Sequence, residues 1–110
     1  AELSGTRCRM TEQQRSVVHL AAVFACNFSN AMYTIADDLL KADGLNLEIM
    51  LPILRQTLGK LKYLSPREAQ TGPAVRHDEG VMQCHLQALT DPDLKNIYET
   101  VSSYIANCNL

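Results

Sequence analysis

A chain of 110 residues, 46% hydrophobic and 20% charged, is long enough for one core, too short for two, and too apolar to be disordered. Its net charge of -2, with Lys and Arg scattered, offers no basic face to nucleic acid or an anionic membrane. The longest apolar run, residues 17–28, is interrupted by His19 and Asn27 and falls short of the ~20 residues that a membrane span needs.

The opening residues show no basic stretch followed by an apolar one, so no secretory leader is expected, and residues 1–10 read as a linker or a cut end. The four cysteines, Cys8, Cys26, Cys84 and Cys108, have no C-x-x-C pairing and no zinc-like spacing with histidine. They read as free thiols in a reducing cytoplasm, with Cys26 and Cys84 as small buried hydrophobes.

The organised domain spans residues 11–110. Thr11 followed by Gln14 has the form of a capping box and opens a helix. No Gly or Pro then intervenes until Asp43-Gly44, which predicts one helix of about 30 residues, ~45 Å long, closed by a glycine cap. Apolar residues lie on most faces of that helix, so it requires neighbours on several sides, and a second subunit is implied. Its polar exceptions follow an i, i+4 row: His19, Val23, Asn27, then Asn30 or Ala31. Such a row either faces a polar cavity or joins helices by hydrogen bonds.

Asn46 is placed as the next N-cap, with Pro52 kinking the following helix or shifting its start. Leu51, Ile53, Leu54, Leu58 and Leu61 then form a stripe that ends near Lys62. Ser65-Pro66-Arg67-Glu68 is another start signal, with Pro at N1 and Glu at N3. Its helix can run only about a turn before Gly72-Pro73 ends it.

Gln70 to Asp78 is where helix breakers, a hydroxyl, a guanidinium and a carboxylate crowd between two helical patterns. Thr71, Arg76 and Asp78 on such a loop are candidate binding groups, and the other reading is a structural turn whose charges cap neighbouring helices. Asp78 is positioned as the N-cap of a helix through Val81, Met82, Cys84, His85 and Leu86, and Asp91-Pro92 opens a last helix through Leu94, Ile97, Val101 and Ile105. No strand-like alternation or repeat is present, so the fold class is all-α: a multi-helical domain with one long central helix.

No G-x-G-x-x-G, P-loop, nucleophile elbow or H-E-x-x-H occurs. Cys84 and His85 are adjacent on a helix, point about 100° apart and do not make a dyad. His19, His77 and His85 lack an i, i+4 pair, so no metal site is expected.

Three stretches carry a resemblance: V-V-H-L-A-A-V-F-A-C-N-F-S-N (17–30), L-S-P-R-E-A-Q-T-G-P-A-V-R-H-D (64–78) and His85-Leu86. They resemble the C-terminal helical domain of the Rossmann-like, DUF2520-containing proteins. That architecture is similar to pyrroline-5-carboxylate reductase, ketopantoate reductase and the 6-phosphogluconate dehydrogenase C-terminal-like group. The resemblance implies a longer protein whose N-terminal Rossmann domain binds NADP, with this domain forming a homodimer and one wall of a cleft for a small carbonyl or imine substrate. It implies His19, Asn27 and Thr71 as catalytic candidates, and Asn30, Gly72, Pro73, Arg76, Asp78 and His85 as substrate-binding ones. Without the Rossmann domain the fragment is expected to hold no cofactor and to be inactive. The competing expectation is a non-catalytic dimerisation or ligand-sensing module, with the loop purely structural and the side chains of His19, Thr71 and Arg76 used up in internal hydrogen bonds.

Overall fold

The computed structural model describes residues 9–108, which contain helices and turns and no strand. Residues 1–8, most of the expected linker, lie outside the described residues. The chain divides into two units, one ending at Pro52 and one beginning at Ile53.

In the first unit, Thr11 and Gln14 form the expected capping box: the Gln14 N–H donates to Thr11 Oγ1 (3.1 Å) and the Thr11 N–H to Gln14 Oε1 (3.0 Å). Helix α1 (Glu12–Ala22) follows, and the helical path continues unbroken to Lys41, but it is not α throughout. Val23–Phe28 forms a π turn, and α2 (Ser29–Lys41) resumes the α geometry. The helix closes on a Schellman motif: Gly44 takes φ 77°, its N–H donates to Lys41 O, and the Leu45 N–H donates to Leu40 O. Asn46 caps a 3-10 turn (Leu47–Met50) through the Glu48 N–H at 2.9 Å. Asp37 ties that turn back to α2. Its carboxylate accepts the Leu47 N–H at 2.9 Å and pairs with Lys41 at 2.8 Å.

Helix α3 (Leu51–Gly59) carries Pro52 in its first turn, where a missing N–H costs nothing, so the proline sets the start of the helix and does not kink it. A 3-10 turn (Lys60–Lys62) ends the stripe. In the second unit Ser65 and Glu68 form a reciprocal capping box that opens α4 (Pro66–Ala69). Asp78 caps α5 (Glu79–Ala88) through the Val81 N–H at 3.3 Å. Asp91 accepts the Asp93 N–H at 2.8 Å at the head of α6 (Pro92–Cys108). Arg67 Nη1 donates to the Cys108 carbonyl at 2.9 Å, satisfying an orphan acceptor in the last turn of α6. Beside it, a hydrogen bond to the Cys108 thiol raises the Tyr104 hydroxyl above its ordinary pKa.

Among the described residues only Ala74, at 5%, is buried. Large apolar side chains along the helices stay exposed: Phe24 at 62%, Leu20 at 57%, Phe28 at 48% and Met32 at 41%. Cys26 and Cys84, expected inside, are exposed free thiols, because they lie on helix faces that no described residue covers. Cys108 is half-buried and also free.

Candidate functional site

The site residues expected from the sequence fall in both units, His19, Asn27 and Asn30 in the first and residues 71–85 in the second.

In the first unit the π turn decides which side chains share a face. An α-helix turns about 100° per residue, and an i→i+5 turn advances more slowly, about 82°. In a straight α-helix, residues spaced by four drift about 40° at each step, so His19 and Asn27 would stand ~80° apart. With the π turn at Val23–Phe28 the drift cancels, and His19, Val23, Asn27 and Ala31 fall within about 35° of one another. The row therefore continues through Ala31. Asn30 lies about 90° away and lines an open pocket of about 440 Å³ with Tyr33, Thr34, Asp37 and Lys41. Hydrogen bonds from Lys41 first and the Leu47 N–H second hold the Asp37 carboxyl below its ordinary pKa, so this pocket keeps a paired ionic wall. His19 and Asn27 are exposed, and neither side chain has a hydrogen-bond partner among the described residues.

In the second unit the Gln70–Asp78 loop is a built structure. Gly72 turns the chain at φ 106°. Residues 73–76 then make one helical turn closed by a second Schellman motif, with the His77 N–H donating to Ala74 O and the Asp78 N–H to Pro73 O at 2.9 Å. The position that normally takes glycine is held by His77, at φ 55°. This fixes Ala74 inward and leaves Thr71 and Arg76 exposed on either side. Neither of those side chains has an ion pair or hydrogen bond among the described residues; the Thr71 carbonyl accepts from Gln70 Nε2. Asp78 is engaged as the α5 cap. His85 lies further along α5, and its Nδ1 shares a 2.7 Å hydrogen bond with the Tyr98 hydroxyl of α6, the rings meeting edge to face at 5.7 Å. Burial lifts the Tyr98 hydroxyl above its ordinary pKa. Tyr98 was not singled out from sequence. Its signal was the three-residue α5–α6 connection, which folds the two helices back and sets residues 85 and 98 side by side.

No group of three or more His, Cys, Asp or Glu among the described residues is arranged to hold a metal ion. No described helix is long and apolar enough to cross a membrane.

The described residues form an all-α domain built on one long helix, with a preformed loop whose hydroxyl and guanidinium have no partner among the described residues. The chain belongs to the DUF2520 family, a domain of unknown function, whose model matches residues 1–105. It is similar to the crystal structure of a Bacteroides fragilis protein named "putative NADP oxidoreductase", with 45% identity, a TM-score of 0.86 and 89% of this chain covered. The match takes in 38% of that protein's chain, so the present chain spans well under half of it. No functionally curated protein matches.

Proposed function

We propose that this chain is the dimer-forming and substrate-cleft domain of an NADP-dependent oxidoreductase that acts on a small carbonyl or imine compound in the cytoplasm. The observation that carries the reading is the likeness to a protein named for NADP oxidoreduction, of which this chain matches 38%. NADP is assigned to the remainder of such a protein, an N-terminal Rossmann domain, since the present chain has no phosphate-binding loop. The reduced nicotinamide supplies a hydride to the carbon of a C=O or C=N group, whose oxygen or nitrogen takes up a proton.

In this reading the residues of the present chain bind the substrate and direct that proton. His19 and Asn27, on one row, and Thr71 hydrogen-bond the oxygen or nitrogen that is protonated. The Arg76 fork grips an acidic group of the substrate, and Asp78 fixes the helix that follows it. Gly72 and Pro73 shape the wall, and Asn30 and His85 contact the substrate further out. That the side chains of His19, Asn27, Thr71 and Arg76 have no partner among the described residues supports this reading over a purely structural loop, which needs those groups consumed internally.

Calorimetric titration of NADPH into the natural protein that carries this chain, with the 110-residue chain as control, tests the reading. Binding to the longer protein alone is the expected result, and no binding to either removes the oxidoreductase reading. In the longer protein, Arg76→Ala is expected to weaken an acidic substrate or analogue by tenfold or more, and unchanged affinity would reject the guanidinium assignment.

A further inference from the structure

The apolar side chains that the long helix leaves uncovered are not scattered. With the π turn at Val23–Phe28, Leu20, Phe24, Phe28 and Met32 lie within about 40° of one another, whereas a straight α-helix would fan them over ~120°. Gln13, Val17, Ile35 and Leu39 extend the same row at its ends, and none of the eight is charged. The row is symmetric about Cys26: Phe24 and Phe28 stand equally far from it, as do Leu20 and Met32, Val17 and Ile35, and Gln13 and Leu39. The π turn occupies the centre of that symmetry, with an α segment on either side. Phe24 and Phe28 meet edge to face at 4.9 Å and present one aromatic knob at the midpoint.

We propose that a second copy of this chain docks on this row in antiparallel orientation, with the two-fold axis passing beside the π turn and each Phe24 set against Phe28 of the partner subunit. The proposal rests on the dimer reading above and specifies its contact. A two-fold interface demands that residue i meet j while j meets i, and a palindromic row satisfies this along its whole length. An unlike partner has no need of that symmetry. The absence of charge means that the copies meet without like-charge repulsion, and antiparallel helices oppose their dipoles. The area is of the right order: six large side chains, each about half exposed, present roughly 500 Å² per chain, against about 800 Å² for one side of a standard interface including its polar rim. The π turn is the device that makes the row straight. Spacing by four residues keeps one face only where the helix is locally unwound.

The test uses the natural protein carrying this chain, its native cysteines replaced by serine. Sedimentation is expected to show a dimer, and Phe28→Glu, with its far-UV circular dichroism retained, is expected to weaken it by a hundredfold or more. Cross-linking decides the geometry and does not depend on that variant folding. In an antiparallel pair Leu20 faces Met32 of the other copy, whereas the two Leu20 positions stand about 18 Å apart along the axis. A short bismaleimide is expected to join a Leu20→Cys protein to a Met32→Cys protein in a mixture and to join neither to itself. A dimer in which Leu20→Cys links to itself, or in which no such link forms, overturns the docking geometry and leaves the dimer reading standing. A protein that stays monomeric at all concentrations overturns both.

Discussion

Between Glu12 and Lys41 the chain sets Leu20, Phe24, Phe28, Met32 and Leu39 along a helix that buries none of them, whereas the short loop from Gln70 to Asp78 holds Ala74, the most enclosed described side chain. The long helix is specified by local means: a capping box at one end, a glycine motif at the other, and backbone bonds between. Its hydrophobic content contributes only when something covers it. The loop is specified by burial and closed turns within the single chain, so its geometry is set before any partner or substrate arrives. A region whose apolar side chains stay exposed and a region that is preformed respond differently to the same kinds of substitution.

The largest contrast is expected from packing changes. Ala74→Leu forces three extra carbons into an enclosed position and is expected to cost about 1–3 kcal/mol at any protein concentration. Phe24→Ala, at a site 62% exposed in the single chain, is expected to stay within ~0.5 kcal/mol when the protein is dilute enough to be monomeric, and to cost several-fold more once it associates. Urea unfolding across a concentration series measures both. Concentration-independent losses of equal size at the two positions would erase the distinction between the regions.

The two turning glycines give the next contrast. A Cβ built at Gly72 or at Gly44 meets nothing within 4 Å, so only the backbone resists substitution. Gly44 at φ 77° sits in the ordinary left-handed well, and Gly72 at φ 106° lies well outside it. Gly44→Ala is expected to cost about 1 kcal/mol and Gly72→Ala about 2, from the strain of a side chain at positive φ. A thermal melt with Gly44→Ala the more damaging would show that the helix end, not the loop, is the more tightly determined turn.

Protonation separates the regions more weakly. Lys41 first, and then the Leu47 N–H, lower the Asp37 pKa, so the folded state holds the carboxylate more readily than the unfolded chain. The stability this provides is present above the unfolded value, about 3.9, and is lost as pH falls through the lower folded value. Asp37→Asn is therefore expected to be less stable than the parent at neutral pH, with the gap closing as pH drops below ~4. Glu68, lowered by its bonds to Ser65, follows the same sign at the α4 cap. Chemical-shift titration of the two carboxylates, alongside melts at several pH values, reads both. A gap that widens on acidification would contradict the assignment of Asp37 as the tie between α2 and the Leu47–Met50 turn.

Helix starts and stops were legible because their chemistry is local. Thr11, Asn46, Ser65, Asp78 and Asp91 all cap where their side-chain oxygens could reach an N–H two or three residues on, and Gly44 closes the long helix as its lack of a side chain permits. The π turn carries neither Gly nor Pro and passed unseen, yet the run Leu20, Phe24, Phe28, Met32 held a signal, since a strict four-residue spacing does not fit a 3.6-residue helix. Exposure was misread for the opposite reason. An apolar pattern shows that Cys26 and Phe24 sit in a greasy stretch, and it cannot show whether the covering surface belongs to this chain. Of the candidate site the sequence names residues only; the structure adds that the side chains of His19, Asn27, Thr71 and Arg76 are exposed and have no hydrogen-bond partner among the described residues. The pairing of His85 with Tyr98 depends on how α5 and α6 fold back, which the cap at Asp91 implies only once the helix directions are known.

The smallest effect concerns His77, and it tests how firmly the loop is held. At φ 55° the residue occupies the glycine position of a Schellman motif, a left-handed conformation that costs a side-chain-bearing residue about 1 kcal/mol. Replacing it with glycine removes that strain and also enlarges the freedom of the unfolded chain, which offsets roughly 0.5–1 kcal/mol of the gain. His77→Gly is therefore expected to be neutral or to stabilise by about 0.5 kcal/mol, and His77→Ala, which relieves nothing, to be the less stable of the two. If glycine instead destabilised the protein by 1 kcal/mol or more in denaturant titrations, the imidazole itself would be holding the turn. The loop would then depend on a side-chain contact and not on the backbone bonds from His77 and Asp78 to Ala74 and Pro73.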